Sequence, residues 1–155
     1  MKMKIMLDEG AKCPTRAHED DAGLDLYARE TITIHPYGDS EYDVITRRIR
    51  KLPNHASFDT GVHIEIPRGW YGKIESKSGL NVKHNIVSCG GVVDSGYTGS
   101  IVVKLYNIGT EPYTFHKGEK IAQIIIQPYL ATELEVVDEL SETDRGNAGF
   151  GSSGV

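Results

Sequence analysis

Residues 101–106, Ile101-Val-Val-Lys-Leu-Tyr106, put Ile101, Val103 and Leu105 on one face of an extended chain and Lys104 on the other. Alternation of period two marks a strand that buries one face. It recurs in Thr31–His35, where Ile32 and Ile34 fall together, in Val62–Pro67, with Val62, Ile64 and Ile66, and in Glu133–Val137. Ile121-Ala-Gln-Ile-Ile-Ile-Gln127 is more continuously apolar, as suits a central strand covered on both sides. No window shows a sustained i, i+3, i+4, i+7 apolar stripe, and the best helical candidate is short, Ser78–His84. The 155 residues include 17 glycines and 6 prolines, and glycine costs a helix interior about 1 kcal/mol per position. The pattern predicts an all-β sandwich or barrel of many short strands with one short helix.

A chain of this length makes one domain. Its 39% hydrophobic residues supply a core. Net charge is 17 − 22 = −5, which speaks against a nucleic-acid coat, since that needs a basic face. Cys13 and Cys89 are too few for a disulfide framework, so a reduced, cytoplasmic protein is expected. No signal-peptide core and no membrane-spanning apolar run is read. Residues 1–140 read as the folded body. Within it, residues 38–59 mix Asp39, Glu41 and Asp43 with the basic cluster Arg47, Arg48, Arg50 and Lys51. They are expected to be an inserted surface loop, and the cluster is a candidate docking point for a protein partner. Residues 141–155 are polar and glycine-rich and are expected to form a flexible C-terminal arm.

Three clusters could carry chemistry. Gly149-Phe-Gly-Ser-Ser-Gly154 matches G-x-G-x-x-G, but no helix follows it, so a dinucleotide fingerprint is rejected. Small residues beside Arg145 can still wrap phosphates, and Phe150 can stack on a base; a plain tail is the alternative. Lys77, Ser78 and Gly79 stand where a strand turns into the short helix, either as an anion site or as a serine N-cap. In Cys89-Gly-Gly-Val-Val-Asp-Ser-Gly-Tyr97, paired glycines before two valines suggest a hairpin whose backbone approaches something closely. Asp94 is either a turn former or a general base. The six histidines show no paired metal spacing, and there is no G-x-S-x-G elbow.

In order, these pieces resemble the five motifs of the trimeric dUTP diphosphatases (dUTPases). They are Ala22-Gly-Leu-Asp-Leu-Tyr-Ala, Gly72-Lys-Ile-Glu-Ser-Lys-Ser-Gly-Leu, Gly91-Val-Val-Asp-Ser-Gly-Tyr-Thr-Gly, Gly118-Glu-Lys-Ile-Ala-Gln and Arg145-Gly-Asn-Ala-Gly-Phe-Gly-Ser-Ser-Gly. The resemblance spans Pro14 to Gly154. It implies a jelly-roll-like fold and a homotrimer with interfacial sites and a swapped C-terminal arm. The implied reaction is dUTP + water → dUMP + pyrophosphate with Mg²⁺, which keeps uracil out of DNA and supplies dUMP for dTMP synthesis.

By the same resemblance Asp94 is the base that activates water. Lys77, Ser78, Gly79 and Gln123 bind phosphate, and Asp25 supports the metal through water. Gly90 and Gly91, with Val92 and Val93, line the uracil pocket, and Tyr97 packs under deoxyribose. Arg145, Phe150, Gly151 and Ser152 close over the nucleotide.

Departures from the family pattern are Lys77 for an arginine, Thr98 for a frequent arginine, Gly96 for a frequent acid and Ala148 for a glycine. Lysine keeps the charge but loses the two-pronged hydrogen bonding of arginine. Two alternatives stand beside this reading. A dCTP deaminase of related fold needs a glutamate where Lys104 stands. A nucleotide-dependent regulatory protein would not need the intact Asp94 and arm.

Overall fold

The alternating runs become strands, and the continuous run becomes the middle of the largest sheet. A computed structural model describes residues 2–89 and 91–148. In chain order the strands are β1 (Lys4–Leu7), β2 (Gly23–Tyr27), β3 (Ile32–Ile34), β4 (Ser40–Asp43), β5 (Arg48–Lys51), β6 (His55–Asp59), β7 (Val62–Glu65) and β8 (Trp70–Glu75). The helix α1 (Ser78–His84) follows, then β9 (Ile86–Ser88), β10 (Val92–Val93), β11 (Val102–Asn107), β12 (Tyr113–Phe115) and β13 (Lys120–Pro128).

The largest sheet runs β10-β8-β13-β2, a second runs β6-β11-β9, and three pairs complete the fold: β1-β7, β12-β3 and β4-β5. All pairings are antiparallel. The expected architecture therefore holds, including the helix at its expected place. No helix among the described residues is long and apolar enough to cross a membrane.

The core lies between the sheets. Ile101, Val103 and Leu105 of the opening stretch are buried, as are Val62, Ile64 and Ile66. Phe58 meets Phe115 edge-on, with ring centres 5.2 Å apart. Fully buried aromatics of this kind each contribute a few kcal/mol of transfer free energy, about 1.5–3. The buried amide of Asn107 is fully used: Nδ2 donates to Ile34 O and Glu111 O, and Oδ1 accepts from Gly109 N.

Two expectations change. Residues 38–59 are not an irregular loop. Glu41 pairs with Arg50 across β4 and β5, and Asp43, opposite Arg48, holds the turn by accepting from Ile45 N and Thr46 N. The last part of the stretch is β6, with Phe58 in the core. Glu133–Val137, read as a strand, is not one. Leu134 and Val136 are almost fully exposed. A strand needs a partner, and this segment pairs with no edge among the described residues.

Candidate active site

β13 places Gln123 between Asp25 of β2 and Glu75 of β8, so the three share one face of the large sheet. A β-bulge then shifts the register between Lys120 and Ala122. The extra residue lets Ile121 and Ala122 both point into the core, and it returns Lys120 to the face of Gln123 and Asp25. Three sequence positions would otherwise have put Lys120 on the opposite face.

Asp25 is 2% exposed and holds two cations. Lys77 Nζ donates to Oδ1 at 2.5 Å. Lys120 Nζ stands 2.6 Å from Oδ2, so a cation covers each carboxylate oxygen. Burial alone would raise the Asp25 carboxyl, but Lys120 and Lys77 outweigh it and hold it below the usual carboxylate range. The same contact raises Lys120. The ionised carboxylate therefore stabilises the fold above the usual value near 3.8 and loses that contribution as pH falls through its lowered value.

Ser78 is the first residue of α1, not its cap. Lys77 holds the cap position in extended conformation with no side-chain capping bond. That leaves the exposed Ser78 hydroxyl uncommitted to the helix. A side chain at Gly79 would meet nothing within 4 Å, so no packing within the chain demands glycine there. At Gly23 the opposite holds: a Cβ would overlap the Gln123 amide. Gln123 Nε2 donates to Ser76 O at 3.2 Å, which fixes the side chain beside the cluster.

Asp94 and Tyr97 lie elsewhere on the same sheet. Val92 pairs with Lys73 and Val93 with Gly72, which brings Asp94 beside Tyr71. Gln123 is beside Glu75. Four strand steps of β8, from Tyr71 to Glu75, separate the two ends, about 13 Å at strand rise. Asp94 is exposed, and its carbonyl accepts from Tyr97 N at 3.0 Å. The Tyr97 hydroxyl donates to Ser100 O, and its ring lies where a Cβ on Gly99 would be. Asp94, Val92, Val93 and Tyr97 line one cavity with Ile101 and Val102.

Among the described residues, β9 and β10 do not pair as the expected hairpin. β9 belongs to the sheet with β11 and β10 to the sheet with β8, so the chain crosses between sheets here. Gly91 makes the crossing possible: its φ is +143°, its O accepts from Ile74 N at 2.8 Å, and a Cβ would lie 2.7 Å from that of Ile74. Gly91→Ala is expected to cost about 2–3 kcal/mol, through strain at a special backbone position. Urea unfolding checks this, and an unchanged midpoint would refute the close approach.

Arg145 lies in an exposed turn, its Nε donating to Ala148 O. No hydrogen bond or ion pair among the described residues joins it to the Asp25 cluster. Gly90, Phe150, Gly151 and Ser152 lie outside the described residues. No three His, Cys, Asp or Glu side chains converge as a metal cage among the described residues. Lys120 was the residue that sequence reading passed over. Its signal was a cation three positions before Gln123, usable only with the bulge known.

The dUTPase family model matches residues 9–154. A deoxyuridine 5'-triphosphate nucleotidohydrolase of Clostridium novyi (strain NT) is 40% identical, over 99% of this chain and 100% of the relative. The enzyme of the same name from Escherichia phage T5 is 39% identical, over 98% of each chain. Among solved structures, the Staphylococcus bacteriophage 80alpha dUTPase with dUPNHPP superposes with a TM-score of 0.83 at 30% identity, over 99% of both chains. A mutant dUTPase from phage phi11 of S. aureus, described for its coordination of a structural Mg(II) ion, has a TM-score of 0.75 at 25% identity, over 92% of this chain and 100% of that one. The chain belongs to the dUTPase family, and its activity is the hydrolysis of dUTP.

Proposed function

We propose that Asp94 takes a proton from water, which attacks in line at the α-phosphorus of dUTP and releases dUMP and pyrophosphate. The observation that carries the reading is the division of candidates between two ends of β8. A general base must lie within hydrogen-bond reach of the water it deprotonates, about 2.6–3.2 Å. Asp94 does not meet that condition over phosphate bound at the Asp25 end, about 13 Å away along β8. One copy then supplies the Asp25, Lys77, Ser78, Gly79 and Gln123 end, and a neighbouring copy supplies Asp94 and Tyr97. A homotrimer closes three such sites by rotation.

Two surfaces favour that assembly. Met6, Val92 and Val102 are exposed apolar residues on strands. The segment at 133–137 is an alternating run without a strand partner, which suits pairing with a neighbouring subunit as a swapped arm. Residues 141–155 would then reach a neighbour's site, with Arg145 on phosphate, Phe150 stacked on uracil, and Gly151 and Ser152 donating to phosphate. Gly90 and Gly91 present backbone to the uracil edge, and Tyr97 excludes a 2′-hydroxyl.

Mg²⁺ fits as an ion carried on the triphosphate. A single buried carboxylate already flanked by Lys77 and Lys120 makes no protein cage among the described residues, which suits a hydrated ion held mainly by phosphates. When bound, it spreads the charge that builds on the phosphates. Lys77 and Lys120 keep Asp25 ionised, and Gln123 orients beside it. The product dUMP serves dTMP synthesis, and removal of dUTP keeps uracil out of DNA. Free Cys13 and Cys89 suit a reducing cytoplasm.

Arg47, Arg48 and Lys51 lack a carboxylate partner among the described residues, while Val44, Ile45 and Ile49 stand exposed on the same hairpin. This basic, apolar tip suits a protein partner, a role separate from catalysis.

Product analysis with dUTP, dCTP, dTTP and UTP, with and without Mg²⁺, tests the reading. Pyrophosphate is expected from dUTP alone and should fall sharply without Mg²⁺. No ammonia is expected from dCTP, because Lys104 occupies β11 where the deaminase glutamate would be; ammonia release would revive that reaction. Equal turnover of UTP would remove the sugar-excluding role of Tyr97.

A further inference from the structure

We infer that His63 is a positioning residue that pins the loop carrying Asp94 and Tyr97, and that it does so as an imidazolium. The inference rests on the catalytic reading of that loop. His63 stands on β7, opposite Met6 of β1, with its side chain only 18% exposed. Nδ1 is 2.8 Å from the carbonyl of Thr98, and Nε2 is 3.2 Å from Asp8 Oδ1. Both neighbours only accept hydrogen bonds. A neutral imidazole has one N–H and can satisfy one of them; the two together require both ring nitrogens protonated.

The clamp has a charged frame. Asp8 lies just beyond β1, Asp59 ends β6, and Arg29 Nη1 bridges the two carboxylates at 3.3 and 3.1 Å. Asp59 in turn accepts from Ser100 Oγ and Gly61 N. Lys4 and Glu65, paired with each other, lie on the same strand pair as His63. The loop between Asp94 and Ser100 is thus held at both its far positions, Thr98 by His63 and Ser100 by Asp59. Inside it, Tyr97 bonds among the described residues to the loop's own backbone. Releasing Thr98 frees the segment that aims Tyr97 and Asp94.

The bond to Thr98 O, opposed by burial and reinforced by Asp8 and Asp59, raises the His63 imidazole above its ordinary 6.5. A raised value means the clamp is whole below 6.5 and is lost as pH climbs through the folded value. Above it one ring nitrogen turns a lone pair toward an oxygen, and one anchor is gone.

The test pairs steady-state kinetics with NMR. In the wild type, the KM for dUTP should rise about fivefold as pH passes the His63 midpoint, the effect of one net hydrogen bond, with kcat moved less. His63→Gln should show the raised KM at every pH, with that inflection absent. Asp8→Asn keeps an acceptor but removes the charge, so the His63 midpoint and the KM inflection should both move down together. A purely structural histidine would alter the melting temperature and leave the shape of the KM profile alone. Identical KM–pH profiles for wild type and His63→Gln overturn the proposal, as does a His63 midpoint at or below 6.5. If His63→Gln does not fold, a KM inflection that stays put while Asp8→Asn moves the midpoint overturns it equally. The titration and the amide exchange of residues 98–100 are read without substrate. Failure of the catalytic reading would appear instead as turnover by Asp94→Asn and would leave those signals unchanged.

Discussion

Asp94→Asn is expected to lower kcat for dUTP by about a thousandfold if Asp94 is the proposed base, the middle of the range that a positioned general base contributes. That loss equals about 4 kcal/mol of barrier. Asparagine has nearly the shape of aspartate and no basicity, so the change isolates proton removal. The site permits a clean test. Asp94 is exposed and lies past the end of β10, and the turn after it is held by its backbone carbonyl to Tyr97 N, which the substitution leaves in place. Stability should therefore change by no more than about 0.5 kcal/mol. Calorimetric dUTP affinity should stay close to that of the wild type, because an uncharged side chain near phosphate repels it less, not more. Pyrophosphate release measured under saturating dUTP reads the effect. A variant that keeps near-normal kcat would remove Asp94 from the chemistry.

The parts of the fold that depend on one strand's own pattern were legible. Val62, Ile64 and Ile66 alternate and are buried, and Ile121–Gln127 is central because both its neighbours are present in the chain. Parts that depend on two distant segments were harder. The β4–β5 hairpin exposes both faces, so it has no apolar alternation; its signal was the facing of Glu41 with Arg50 and Asp43 with Arg48, which requires the register first. Glu133–Val137 has the alternation of a strand, yet pairing is a property of two strands, and no strand among the described residues pairs with it.

The candidate site divides the same way. Residue types at motif positions pointed to Asp25, Lys77 and Asp94, but not to who stands beside whom. The bulge at Ile121 decides that Lys120 joins Asp25, and bulges leave no mark in composition. His63 meets Asp8 across a sequence gap of 55 residues, and only the β1–β7 pairing closes it.

Mixing two inactive variants should restore activity if each site is, as proposed, a joint product of two copies. Asp25→Asn removes the carboxylate between Lys77 and Lys120. Both ammonium groups are partly exposed and can turn to solvent, so the fold should lose only about 1–3 kcal/mol. Phosphate binding should suffer more, since the two lysines would no longer be held at a fixed separation, and kcat/KM should fall about a hundredfold or beyond. Alone, Asp25→Asn has an intact Asp94 and no phosphate end; Asp94→Asn has an intact phosphate end and no base. In subunits unfolded together at equal amounts and refolded, an intact site needs one particular variant on each side, so roughly a quarter of sites regain both ends when three-fold assembly is random. Turnover should then rise to about a quarter of the wild-type value, about 25 times above Asp25→Asn and about 250 times above Asp94→Asn. The measurement is pyrophosphate release before and after co-refolding, with each parent refolded alone as its control. A mixture no more active than the sum of its parents would mean that Asp94 and Asp25 act within one chain. The 13 Å estimated along β8 would then have to be closed by movement of the loop that carries Asp94.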